Sequence, residues 1–239
     1  MNRRQFNSVS ASSVASLSLA GFIGLAHQQA LALSLADLTN ADASAGLKLA
    51  LEKGALSAVG VLGQVDGFLG NPKVRIPLPP FLEKAAGLLR TIGQGGKIDE
   101  LVTSMNRAAE AAVPQAKDLL VNAVKGMSVQ DAKKILGGGD TLVTTFFAEK
   151  TRTPLEGRFL PVVTQATEKV GLAAQYNDVA GKAAGLGLMK AEDANIQKYV
   201  TTKSLDGLYV MIGEEEKKIR QDPVGTGSNL LKKVFGALK

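Results

Sequence analysis

This chain has no cysteine, no tryptophan and a single histidine, His27, among its 239 residues. Without a thiol it can form no disulfide, no Cys-ligated zinc or iron–sulfur centre and no thiolate nucleophile. The one imidazole lies in an N-terminal stretch that reads as a removable signal. What remains after removal has neither ring nitrogen nor thiol, which excludes Ser-His-Asp and Cys-His catalysis. Aromatics are also scarce, at 5% of residues, and are scattered along the chain. Nucleic-acid binding wants a basic stripe interleaved with stacking rings. Acids and bases are interspersed here, so no nucleic-acid partner is expected. No cofactor and no metal are expected either.

Long apolar runs are missing too. The longest near the N-terminus, Val14 to Ala26, is interrupted by Ser16, Ser18, Gly21 and Gly24. It is shorter than the roughly 20 residues a bilayer-spanning helix needs. Arg3 and Arg4 precede it, and Ala30-Leu31-Ala32 follows as a small-x-small cleavage pattern. Together these are the parts of a signal peptide. Residues 1–32 are expected to be cleaved, leaving 33–239 with no transmembrane segment. Arg3-Arg4-Gln5-Phe6 resembles a twin-arginine signal. Asn7 departs from that pattern, so the general secretory route stays open. The expected destination is the periplasm or the outside. Cleavage removes Arg3 and Arg4 and lowers the formal net charge of +6 by two.

What is present is helical periodicity. Leu47, Leu51, Ala55, Ala58, Val59 and Leu62 mark a helix near 42–65, ended by Asp66-Gly67 and Gly70-Asn71-Pro72. Lys73 to Pro79 alternates Val74, Ile76 and Leu78 with charge or proline. This reads as an extended segment with one packed face, and its prolines argue against a central strand. Pro79-Pro80 can open the next helix. Phe81, Leu82, Ala85, Leu88, Leu89 and Ile92 share one face of it. Ile98, Leu101, Val102, Met105, Ala109 and Ala112 form a further face, which Pro114 should break or kink, since an interior proline costs about 3 kcal/mol.

Ser128 is placed to cap a short helix ending at Leu136, and Asp140 to cap another carrying Phe146 and Phe147. Thr153-Pro154 reads as a fresh helix start, with a kink or restart at Pro161. A small-residue helix is expected over 171–187, a long one over 193–221, and a basic amphipathic one from Ser228 to Lys239. No alternating strands with hairpin turns and no repeat period are visible. The expected architecture is all-α: one compact domain, residues 33–239, of nine or ten helices, several short or Pro-kinked, with no significant sheet.

Several stretches resemble a known family. They are Asp66-Gly67-Phe68 to Pro79, Leu101 to Pro114 (LVTSMNRAAEAAVP), Asp131 to Asp140 (DAKKILGGGD), Asp193-Ala194-Asn195-Ile196, Asp206-Gly207-Leu208, and Glu214 to Gly236 (EEEKKIRQDPVGTGSNLLKKVFG). They resemble the bacterial family catalogued as domain of unknown function 4197, across nearly all of the chain after the signal. The resemblance implies an exported helical protein of Gram-negative bacteria. It implies no activity.

Four constellations carry candidate chemistry. Asn106, Arg107 and Glu110 sit among small residues that let a neighbour approach closely. They can form a polar tie between helices or a pocket wall offering Arg107 to an anion. Glu214-Glu215-Glu216-Lys217-Lys218 with Arg220 suits a solvated helix face with i,i+4 pairs, or a carboxylate pair for glycoside hydrolysis. Gly225-Thr226-Gly227-Ser228 is read as a loop and N-cap, since the Walker spacing is not met. Lys232 and Lys233, on the last helix, could face an anionic membrane. The leading expectation is a non-enzymatic periplasmic binding or interaction protein for an apolar or amphipathic envelope ligand such as lipid, or for an envelope protein. One rival is a carboxylate-only hydrolase of envelope glycan, with Glu110 and Asp206 as its acids. The other is a structural or assembly partner.

Overall fold

A computed structural model describes residues 40–138, 141–187, 189–190 and 193–222. The segment 1–32, Asp140, the loop Gly225 to Ser228, and Lys232 and Lys233 with their expected helix lie outside the described residues. In chain order the elements are α1 (Asn40–Leu62), α2 (Pro80–Thr91), α3 (Gly95–Ala112), a 3-10 turn (Val113–Ala116), α4 (Lys117–Lys125), α5 (Val129–Leu136), α6 (Leu142–Thr167), α7 (Gly171–Gly185) and α8 (Ile196–Gln221). No strand occurs among the described residues.

The count of nine or ten helices is therefore corrected downward. Eight α-helices are described, and α3 runs into α4 through the 3-10 turn at Pro114 without a break, leaving seven separate rods. The main cause is α6. Thr153-Pro154 does not start a helix and Pro161 does not restart one. Both prolines lie inside a continuous 26-residue helix. Each removes one backbone donor, and the carbonyls left without it belong to Lys150 and Gly157. Both residues are exposed, so water can serve those oxygens. The helix is held through them by packing. Every fourth residue from Val143 through Phe147, Thr151, Leu155, Phe159 and Val163 to Thr167 is buried. At 3.6 residues per turn such a row winds around the axis, so it meets α3 and α4 on one side and α8 on another.

The core is built around α1, α3, α6 and α8. The apolar row read from α1 is buried as a stripe, with Leu47, Leu51, Ala55, Ala58 and Leu62 all fully covered. Helices α4 and α5 close one side of α1, and α2 packs chiefly on α3. Ser128 caps α5 with a capping box: its hydroxyl accepts from the Asp131 N–H at 3.0 Å, and the Asp131 carboxylate accepts from the Ser128 N–H at 3.0 Å.

The chain leaves α1 through a tight turn. Asp66 has φ of 66°, a left-handed conformation that Asp tolerates. Gly67 follows, and a Cβ there would sit 2.5 Å from the Leu62 carbonyl oxygen, so only glycine fits. Residues 68–79 then run back along α8. Phe68 and Val74 cover Gly207, Asn71 reaches Met211, and the Tyr199 hydroxyl donates to the Pro77 carbonyl at 3.2 Å. Val74, Ile76 and Leu78 are buried while Lys73, Arg75 and Pro77 are exposed, which is the alternation of an extended segment with one packed face.

Candidate functional site

Helix α3 is amphipathic, yet two polar side chains on its inner side are buried: Asn106, fully, and Glu110, 4% exposed. Besides Val102 and Arg107 on the same helix, their partners are backbone groups at least 30 residues away. Asn106 faces Ile76 with both ends of its amide. Its Oδ1 accepts from the Ile76 N–H at 2.8 Å and its Nδ2 donates to the Ile76 carbonyl at 3.0 Å. A side-chain amide here takes the place of a neighbouring strand, which is how an extended segment without a sheet satisfies its backbone. Glu110 does the same one turn further on. Its Oε1 accepts from the N–H groups of Phe68 and Leu69 at 3.0 and 3.1 Å. Its Oε2 accepts from Arg107 at 2.7 Å.

Arg107 donates its other arm to Asp66 at 2.8 Å. The hydrogen bond to Glu110, then that to Asp66, raises its pKa above the ordinary guanidinium value and keeps it charged. Two carboxylates therefore hold one cation. An approaching anion meets a net negative cluster with the guanidinium already engaged. The arrangement ties α3 to the 66–79 segment, and through Pro79-Pro80 it fixes where α2 begins.

Asp206 sits elsewhere, on α8, and pairs with Arg152 of α6 at 2.7 Å. Arg152 also lies 5.2 Å from the centroid of the Tyr209 ring, whose hydroxyl is 3.0 Å from Thr151 Oγ1. Glu110 and Asp206 are thus each committed to separate partners. The acidic run at the end of α8 is more than a solvated face. Glu214 pairs with Lys73 of the returning segment, which lowers its pKa. Glu215 accepts from Ser57 of α1 at 2.8 Å and from Lys218, and Glu216 is 3% exposed. Among the described residues no group of three or more Asp, Glu or His residues could hold a metal ion. No described helix is long and apolar enough to cross a membrane.

Helix α2 leaves much of its apolar face uncovered. Its apolar arc is continuous in sequence, yet α3 covers only one side of it. Leu82 and Ala86 are buried, while Phe81, Leu88 and Ile92 are 43%, 69% and 60% exposed. At about 100° per residue these three lie within roughly 40° of one another and form a narrow ridge. Lys84, on the same helix, flanks the ridge on its outer side and is exposed. The sequence pattern showed the arc; it did not show that half of it stays bare.

A family model described as "Protein of unknown function (DUF4197)" matches residues 37–236. No curated protein and no solved structure matches the chain.

Proposed function

The chain belongs to that family, whose description names no activity, and from this premise we propose a non-enzymatic envelope protein that docks on an anionic lipid surface through the α2 ridge. In this reading residues 1–32 serve export, and the ligand is amphipathic lipid met at the outside of the fold. The observation that carries it is the half-covered apolar arc of α2. The hollow between α6 and α8, about 500 Å³, is an open trough with mixed polar walls.

Area favours a bilayer over a stable protein partner. Phe81, Leu88 and Ile92 together expose roughly 300 Å², at about 180 Å² for a whole side chain. A stable protein complex covers about 800 Å² on each partner. A lipid surface asks only that a ridge enter the headgroup boundary while basic side chains meet anionic headgroups. Lys84, on the same helix, is placed for that.

Flotation with phosphatidylglycerol-containing vesicles tests it. Leu88 presents about 120 Å², so its full transfer is worth about 3 kcal/mol at 25 cal/mol per Å². Leu88→Ser should lower partitioning by up to about 100-fold with the helical spectrum unchanged. A wild-type chain that stays unbound with these vesicles, or a Leu88→Ser variant that floats as well as wild type, overturns the reading. Two committed carboxylates, Glu110 and Asp206, give the glycan-hydrolase alternative no support.

A further inference from the structure

Beside the start of α2 the fold leaves an open hollow of about 420 Å³. This volume falls within the range of small-molecule sites, about 300–1,000 Å³. Its walls come from separate parts of the chain. Pro77 belongs to the returning segment and Pro80 to α2, Tyr199 and Lys203 to α8, and Lys190 and Asp193 to the stretch between α7 and α8.

The floor of the hollow is fixed. Tyr199 is 4% exposed, and its hydroxyl donates to the Pro77 carbonyl at 3.2 Å. Lys203 follows four residues later on α8, so its ammonium lies over the Tyr199 ring, 5.8 Å from the centroid. A ring face orients a cation without cancelling its charge. With Lys190 and Asp193 included, the described walls carry two cations and one anion, a single net positive charge.

The hollow also adjoins the apolar ridge. Pro80 is both part of its wall and the first residue of α2, and Phe81, the first member of the exposed ridge, follows directly. A basic hollow and a bare apolar ridge are thus joined within one residue. A soluble phosphate compound would use the hollow alone. A phospholipid carries a charged head joined to apolar chains, and it would use both.

We infer that this hollow receives the phosphodiester headgroup of one anionic phospholipid, whose chains pass over Phe81. The phosphate oxygens accept from Lys203 and Lys190. The inference rests on the lipid-docking reading of α2 and adds a headgroup site to it. The ridge alone would enter any anionic apolar surface, whereas the hollow selects a phosphate next to the chains.

Titration calorimetry of the full chain with dihexanoylphosphatidylglycerol, kept below the concentration at which it forms micelles, tests the assignment. The lipid should bind, and Lys203→Gln should weaken it at least about tenfold. Lys133→Gln, an exposed site on α5 that loses the same charge, should bind like wild type. The deacylated headgroup, glycerophosphoglycerol, should bind at least about tenfold more weakly than the lipid, and Phe81→Ser should narrow that gap. No lipid binding by wild type, equal affinities in Lys203→Gln and Lys133→Gln, or a headgroup that binds as tightly as the lipid overturns the inference. Vesicle flotation separates the two readings. If wild type floats and Leu88→Ser does not, while Lys203→Gln binds the short-chain lipid like wild type, the ridge stands and the headgroup site falls. A wild-type chain that does not float removes both.

Discussion

Removing the Glu110 side chain from the inner side of α3 should be strongly destabilising. In Glu110→Ala the Phe68 N–H, which is buried, and the Leu69 N–H, which is partly buried, both lose their acceptor. A buried donor left unpaired costs about 1–3 kcal/mol. The fully buried one should count in full and the other in part, giving roughly 3 kcal/mol. Arg107 adds little, because it keeps Asp66 and reaches solvent. For a domain of this size 1 kcal/mol moves Tm by about 2–4 °C, so Tm should fall by roughly 6–12 °C. Glu110→Gln retains an oxygen that can accept from both N–H groups and should lose less than half as much. Urea denaturation followed by circular dichroism at 222 nm supplies both free energies. The argument says the carboxylate acts as a backbone acceptor. It fails if the Ala variant loses less than about 1 kcal/mol, or if Gln is as damaging as Ala, which would make charge the essential property.

Gly207→Ala pits two effects against each other. Alanine favours a helix interior by up to about 1 kcal/mol, but its Cβ would sit 2.8 Å from a ring carbon of Phe68 and 3.2 Å from the Val74 Cβ. Overpacking costs about 1–3 kcal/mol, so a net destabilisation is expected by urea titration, and a stabilised variant would show that the Phe68 contact yields freely. Ser128→Ala should cost about 1 kcal/mol through the lost α5 cap, measured by the same titration. Ser128 also holds the Asp131 carboxyl below its ordinary pKa, through its side-chain bond first and its backbone bond second. A depressed folded-state pKa contributes stability above the unfolded value, about 3.9, which is lost as pH falls through the folded one. The Ser128→Ala deficit should therefore shrink below about pH 4, and a deficit constant down to pH 2 would contradict it.

The three tyrosines give an alkaline counterpart. Burial pushes Tyr176 and Tyr199 up to about 12 and raises Tyr209 as well. A raised folded-state value means stability is full below about pH 10 and is lost as pH climbs toward the folded value. With no tryptophan in the chain, absorbance at 295 nm reads tyrosinate alone. It should stay flat to about pH 11 and then rise together with unfolding. Titration of any tyrosine near pH 10 in the folded protein would show that its burial is overstated.

Local rules decided much of this molecule because they act over a few residues. The buried stripe of α1, the turn at Asp66-Gly67, the extended 73–79 segment and the Ser128 cap all depend on spacing or on one side chain's reach, and all are legible in the sequence. The family was legible too, from motifs spread along the chain. The number of helices was not. Pro154 and Pro161 are local breakers, and whether a helix survives them depends on how firmly its other residues pack; every fourth side chain of α6 is seated in the core. Nor was the work of the candidate residues. Asn106, Arg107 and Glu110 stood out as a polar group beside small residues, but their partners are Ile76, Asp66, Phe68 and Leu69, brought to them only by the chain's return along α8. Spacing along a chain determines which side chains share a face. What lies against that face, and whether all of it is covered as on α1 or half of it as on α2, is settled by contacts between residues far apart in sequence.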